Sequence, residues 1–202
     1  MNARIERVVT SGVFSLDGED FDVDNNVWLV GDDTEVLVID AAHDAKALLN
    51  AIGGRDVLAI VLTHGHNDHL NAAGELRDAT QAPTHLHPAD RMLWDVVYPG
   101  AAPDREIADG DIFTVAGTSL RVLTTPGHSP GSVCLYSEDL ATVFTGDTLF
   151  HGGPGATGRS YSDHPTILAS ITGKLFALPG DTVVKTGHGD DTTVGAESAN
   201  LA

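Results

Sequence analysis

Apolar residues gather along the chain into short runs rich in Val, Ile, Leu and Thr, set apart by Gly, Pro, Asp and His. Runs of this length and β-branched content predict buried strands at 5–10, 26–30, 35–39, 57–62, 83–86, 112–115, 120–124, 133–137, 142–144 and 182–185. Between them the spacing changes to one apolar position every three or four residues. That period predicts a helix over 44–52, closed by Gly53-Gly54, and a second over 69–79 with Leu70, Ala73 and Leu76 on one face. A third spans 88–97, with Pro88 at its start, where the missing N–H costs nothing. A fourth spans 165–178, with Ile167, Leu168, Ile171, Leu175 and Phe176 on its apolar side. A group of strands followed by helices occurs twice, which predicts two packed sheets with helices outside them. No linker or low-complexity segment interrupts the pattern, so residues 1–202 read as one domain.

The residues that can do chemistry collect where strands end. The run 57–62 leads directly into Thr63-His64-Gly65-His66-Asn67-Asp68-His69. A metal ion requires neutral imidazoles and carboxylates converging on one point. His64 and His66, two apart, can face the same way off a strand end, whereas the adjacent Asp68 and His69 are expected to diverge. One ion is therefore not expected to take all four, and the spacing suggests two neighbouring metals. The bland alternative is a solvated polar loop, and it weakens as the pattern repeats. His128 follows 120–124, Asp147 follows 142–144 and His188 follows 182–185, each among Gly or other small residues. Glycine permits the turns that bring loops close around an ion, and ligands on separate loops at strand ends are how a sheet presents a site.

Taken in order, Asp40 at the end of 35–39, the His64-x-His66-x-Asp68-His69 block, His128, Asp147 and His188 resemble the metallo-β-lactamase superfamily. The resemblance runs from residue 26 to about 193. It implies an α/β fold, a four-layer αββα sandwich with metals at one edge. It further implies that His64, His66 and His128 hold a first metal, that Asp68, His69 and His188 hold a second, and that Asp147 bridges them. Asp40 would orient the ligand loop from behind, a common need of metal-ligating histidines. The cofactors implied are two divalent ions, with zinc expected and iron or manganese suited to the same mixed nitrogen and oxygen set. Within the superfamily the chain looks most similar to glyoxalase II and its small single-domain relatives. Class B β-lactamases commonly carry a cysteine where this chain has Asp147. The single cysteine here, Cys134, lies in an apolar run and is expected to be a buried strand residue.

The activity implied is that of a dinuclear metal-dependent hydrolase cleaving a thioester of a low-molecular-weight thiol. Asp68 is assigned a general-base role beside ligation. Gly158-Arg159-Ser160-Tyr161 resembles a Gly-Lys-Phe-Tyr stretch of glyoxalase II that holds the carboxylate of the thiol carrier. Arg159 and Tyr161 are thus candidate substrate-binding residues, and an Arg can fork onto a carboxylate. A competing alignment makes Arg159 structural, with Asp163 as its partner. The alternatives in function are a lactonase using the same ligands and a persulfide dioxygenase using one iron; the complete second-metal set argues against the latter. The chain ends soon after His188, so the helical domain that completes the glutathione site in glyoxalase II is not expected. Mycothiol, bacillithiol or coenzyme A then enter as carriers. His43 is expected to bond only within its loop, and His85 and His87 to be structural. His151 and His164 flank the segment after Asp147 and are expected to line the pocket.

Charge narrows the partners. The formal net charge is −18, and two divalent ions would leave it strongly negative. Such a surface repels phosphate backbones, which weighs against nucleic-acid processing. One cysteine excludes an internal disulfide framework and fits a reducing compartment. The first residues lack the apolar core of a signal peptide, and no run approaches transmembrane length. A cytoplasmic location, a small-molecule substrate and no membrane partner are the expectations. Nothing in the pattern fixes an oligomeric state.

Overall fold

In the computed structural model, which describes residues 3–201, the apolar runs pair into two sheets. The first contains β1 (Arg4–Leu16), β2 (Glu19–Gly31), β3 (Glu35–Ile39), β4 (Asp56–Val61), β5 (Thr84–Leu86) and β6 (Arg105–Glu106), bonded in that order. The chain continues through β7 (Ile112–Val115), β8 (Thr118–Thr124), β9 (Val133–Ser137) and β10 (Thr142–Gly146). A small ribbon of β11 (Leu149–Phe150) and β12 (Gly153–Pro154) precedes β13 (Val183–Thr186) and β14 (Thr192–Thr193). The second sheet has the order β14-β13-β10-β9-β8-β7. The helices are α1 (Ala45–Ile52), α2 (Asn67–Leu70), α3 (Ala73–Thr80), α4 (Arg91–Val97), α5 (His164–Ser170) and α6 (Val194–Asn200).

Successive side chains on a strand point to opposite faces, and this parity divides the core into three. Trp28, Val30, Leu37, Ile39 and Val61 of the first sheet meet Leu120, Val122, Val133, Leu135 and Phe144 of the second. The opposite parity, Val27, Leu29, Val36, Val38, Ile60 and Leu62, is covered by Leu48 of α1, Leu76 of α3 and Trp94 of α4. On the far side Cys134, Tyr136, Val143 and Val184 lie under Ile167, Ile171 and Leu175. The layers are therefore helix, sheet, sheet and helix, the αββα sandwich of the metallo-β-lactamase fold. Each fully buried Leu, Ile or Phe contributes roughly 1.5–3 kcal/mol by leaving water.

The expected strands and helices form, with informative departures. β1 and β2 run far past 5–10 and 26–30 into one hairpin, closed by Asp17 (φ 56) and Gly18 (φ 78) between the paired Leu16 and Glu19. An Asp-Gly pair takes this left-handed turn readily, and its twist suits the strands it joins. The expected helix 69–79 divides into α2 and α3. Its backbone is captured at the break, because Ala41 N–H donates to His69 O (2.8 Å) and Ala72 N–H donates to Ala41 O (3.0 Å). The helix expected at 88–97 starts as a 3₁₀ turn over Pro88–Asp90. That expected at 165–178 begins one residue earlier, capped by the Asp163 side chain on Thr166 N–H, and widens at its end. There Phe176 N–H reaches five residues back to Ile171 O at 2.9 Å. The strands β6, β11, β12 and β14 and the helix α6 had no pattern to announce them. Among the described residues no helix is long and apolar enough to cross a membrane.

Candidate metal centre

Strand direction brings the polar loops to one edge. β3, β4 and β5 run parallel, and so do β10 and β13, so the segments after β3, β4, β10 and β13 open on the same rim as the β8–β9 loop. Asp40, just past β3, has φ 62, a costly conformation for a residue with a side chain. Its carboxylate returns several hydrogen bonds. Oδ1 accepts from Thr63 N–H (2.8 Å), and Oδ2 accepts from Thr63 Oγ1–H (2.9 Å) and lies 2.9 Å from His69 Nδ1. Asp40 thus fixes both ends of the histidine block, as expected of it.

Seven side chains then converge. His66 Nδ1 lies 3.0 Å from His64 Nε2 and 3.0 Å from His128 Nε2. His188 Nε2 lies 3.2 Å from His69 Nε2 and 3.3 Å from Asp68 Oδ2. Asp147 stands between these two groups, with Oδ1 3.2 Å from His69 Nε2 and Oδ2 3.4 Å from His188 Nε2 and 3.5 Å from His128 Nε2. Geometry alone also permits a grouping of His64, His69 and Asp147. Asp68 and His69 do not diverge as expected; Asp68 Oδ2 is 3.5 Å from His69 Nε2. They leave a short helix, α2, rather than an extended strand, and neighbours there are only about 100° apart around the axis.

The proton positions follow from the outer partners. His128 Nδ1 faces Ala156 O at 2.9 Å, and His188 Nδ1 faces Asp24 O at 2.7 Å. A carbonyl only accepts, so both Nδ1 atoms carry the hydrogen, as does His69 Nδ1 against Asp40. Thr63 Oγ1 donates to Asp40, so it accepts from His64 Nδ1 at 3.1 Å. All four rings therefore turn Nε2, the atom left for a metal, inward. His66 Nε2, Asp68 Oδ1 and Asp147 Oδ1 are buried with no hydrogen-bond partner. Packed lone pairs and carboxylate oxygens repel one another unless a cation sits among them.

Electrostatics divides the two groups. Burial, with its histidine neighbours, pushes His64 well below its ordinary value and His66 down to about 3, which keeps both neutral and ligand-ready. Around Asp147 the sign reverses. Burial opposes charge on His69 and His188, yet Asp147 and Asp68 outweigh it, raising His69 strongly and His188 to about 10. Burial likewise opposes the charge on Asp68 and Asp147; His69 leads in holding Asp68 at about 2 and Asp147 well below the carboxylate range. Two Nε2–H groups at the 3.2 Å between His69 and His188 would collide. A divalent ion supplies the positive charge the carboxylates demand without that clash. The backbone leaves room for it: a Cβ on Gly187 would lie 2.3 Å from Asp147 Oδ1 and 2.8 Å from His69 Cε1. The residues present fit one or two divalent ions.

Phe14, facing inward from β1, meets His66 edge-on at 5.2 Å, and Phe150 lies 6.1 Å from His188. The hairpin tip is tied to the 157–162 loop. Ser160 N–H donates to Asp17 Oδ2 (3.0 Å), and Arg159 bonds Glu19 Oε2 (2.7 Å) while lying 4.6 Å over the Phe21 ring. Arg159 does not pair with Asp163, whose side chain is committed to capping α5. Tyr161 is 55% exposed on the same loop. Cys134 is buried in the far helix–sheet layer, its thiol pushed up to about 11 by burial. His85 packs edge-on against Phe113, and His87 caps the 3₁₀ turn. His151 is exposed beside β11, and His164 bonds Thr157.

Two supporting residues escaped the sequence. Asp90 is fully buried and accepts from Gly65 N–H (2.7 Å), Ser129 Oγ–H (2.6 Å) and Gly131 N–H (2.6 Å), clamping the His64–His66 turn to the His128 loop. Asn25 is also fully buried, and its Nδ2 donates to Asp68 Oδ2 at 3.0 Å. An acid beside Pro88 gave no periodic or spacing signal, nor did one of two adjacent asparagines.

The chain is 36% identical over 184 residues to a probable metallo-hydrolase, YqgX, of Bacillus subtilis, covering 84% of this chain and 87% of that protein. It is 32% identical over 188 residues to the hydroxyacylglutathione hydrolase GloC of Haemophilus influenzae, covering 85% and 89%. Among solved structures it is similar to the BLEG-1 B3 metallo-β-lactamase, with TM-score 0.80, 33% identity and coverage of 94% and 97%. It is also similar to TTHA1623 in a di-iron-bound form, with TM-score 0.76, 34% identity and coverage of 88% and 94%. Residues 21–188 match the family described as the metallo-beta-lactamase superfamily, and the chain belongs to it.

Proposed function

We propose that this chain is a dinuclear metal-dependent hydrolase acting on a thioester of a low-molecular-weight thiol. The observation that carries the reading is Asp147: one carboxylate spans two ligand groups, His64/His66/His128 and Asp68/His69/His188, at 3.2–3.5 Å. The likeness to a di-iron protein supports two ions, and the likeness to a hydroxyacylglutathione hydrolase supports a thioester. Bound there, two divalent ions supply Lewis acidity and bring the pKa of water toward neutrality.

The remaining work falls to the chain. Asp40, Thr63 and the two carbonyls described above hold the imidazoles in their ligating tautomer. Asp68, held at about 2, is a ligand first; its partnerless Oδ1 can accept a hydrogen bond from a water and so orient it. Phe14 and Phe150 narrow the approach and limit competing water. A thiolate leaves with little help from an acid, since thiols ionise near neutrality at about 8.5. Arg159 is the candidate anchor for a carboxylate on the carrier, which would exchange with Glu19. The Glu19 side chain is 63% exposed, so giving up that surface pair costs little. Tyr161, two residues on, is a second candidate contact.

The likeness to a B3 metallo-β-lactamase adds β-lactams to the substrates worth testing. Metal-loaded protein should cleave carrier thioesters with a higher kcat/KM than lactones or β-lactams; a preference for either of the others would replace this reading. Arg159→Ala should raise KM for a carboxylate-bearing thioester about ten- to a hundredfold, the worth of a lost charge-assisted contact of roughly 1.5–3 kcal/mol. A small neutral thioester should be little affected. Equal losses on both substrates with a lower melting temperature would assign Arg159 to holding the hairpin tip instead.

A further inference from the structure

A chain of hydrogen bonds with only one consistent direction runs from the backbone to Asp68. It begins at His43 N–H, which donates to Asn71 Oδ1 at 2.6 Å. That bond fixes the Asn71 amide, so Nδ2 is the atom 3.0 Å from His43 Nδ1. His43 Nδ1 must then accept, and the ring hydrogen resides on Nε2. His43 Nε2–H donates to Asn25 Oδ1 at 2.9 Å. The other end of that amide, Nδ2, is thereby turned toward the metal-ligand groups, 3.0 Å from Asp68 Oδ2 and 3.3 Å from His69 Nε2. Had the amide been reversed, its oxygen would face the Asp68 carboxylate, oxygen against oxygen.

The backbone is shaped to keep this chain in place. A Cβ on Gly12 would lie 2.1 Å from His43 Nδ1, so only glycine lets the ring lie against β1. His43 itself has φ 58, a strained conformation held by its loop. Asn25 has no solvent exposure, so its amide cannot turn without leaving polar atoms unpaired. The bond it gives falls on Asp68 Oδ2, the oxygen that faces His69 and His188.

We propose that Asn25 is a positioning residue for the second metal, locked in one amide orientation by His43 and Asn71 so that it presents Asp68 Oδ2 to that ion. This rests on the dinuclear reading. His43, expected to bond only within its own loop, instead bonds Asn25 and Asn71 and so takes a part in the centre. Hydrogen bonds behind a metal ligand typically alter affinity by about ten- to a hundredfold when lost.

The test uses Zn²⁺ titrated against a competing chelator into metal-free protein, following the two binding steps separately. Asp68→Ala identifies which step belongs to the second ion. Asn25→Ala should weaken that same step about ten- to a hundredfold and leave the other unchanged. His43→Ala, which touches no ligand, should move the same step in the same direction by less, because the amide is then free to turn. Unchanged steps in Asn25→Ala would overturn the proposal. So would equal weakening of both steps with a lower melting temperature of the metal-free protein, which marks a scaffold residue. A wild-type chain that takes one ion only would overturn the dinuclear reading. The Asn25 proposal would then stand if Asn25→Ala and Asp68→Ala both weaken that ion, and fall if they do not.

Discussion

Asp147→Ala should lower hydrolysis by about a thousandfold or more, a loss of at least ~4 kcal/mol of transition-state stabilisation, and should reduce bound metal. Its carboxylate reaches both ligand groups: the two oxygens lie 3.2–3.5 Å from His69, His128 and His188. The strand delivers it there by a register shift between Phe144 and Gly146, where Gly146 (φ 48) lies against Thr63 so closely that a Cβ would come within 2.4 Å of Oγ1. Removing the carboxylate leaves crowded lone pairs facing one another with less negative charge to hold a cation. Cys134→Ser should keep activity within about twofold, because its sulfur lies in the far layer and sets no part of the centre. Steady-state rates with metal supplied, read beside elemental content, check both. An active Asp147→Ala, or loss of metal from a folded Cys134→Ser, would show that the ligands are wrongly assigned.

Removing the metals should cost the fold heavily. Ions that bind the native chain and not the unfolded one stabilise it by mass action, about 4 kcal/mol when present at a thousand times their dissociation constant. For a chain of this size that corresponds to a fall in melting temperature of about 8–16 °C on chelation. The physical source is local. Imidazole Nε2 atoms of His69, His128 and His188 crowd the buried Asp147 carboxylate at 3.2–3.5 Å, and Asp68 Oδ1 and Asp147 Oδ1 have no hydrogen-bond partner. Thermal scans before and after chelation, with metal loss verified, measure the effect. A melting temperature unmoved within about 2 °C would mean that the centre is held together without ions.

What the sequence disclosed was what repeats. Strands of one parity and ligands at strand ends leave periodic or spaced marks, so the four layers and the seven converging residues were legible. The parts that stayed hidden depend on partners distant in the chain. The break between α2 and α3 exists because Ala41 takes the backbone bonds of His69 and Ala72. Asp90 matters because two glycine-containing turns meet on it, and a Cβ on either Gly65 or Gly131 would strike it. The long hairpin was signalled by Asp17-Gly18, but Val13 faces water and Gly12 lies inward against His43, which masked the alternation. Arg159 was expected on a substrate or on Asp163 and lies on Glu19, a partner supplied by that hairpin.

Counting the ions tests the account most directly. Protein purified without chelator, with metal supplied during expression, should contain close to two transition-metal ions per chain by elemental analysis. Asp147→Ala should contain fewer, and Cys134→Ser the same as wild type. A saturating content of one ion, with Asp68 and His188 dispensable for activity, would contradict the two-metal centre.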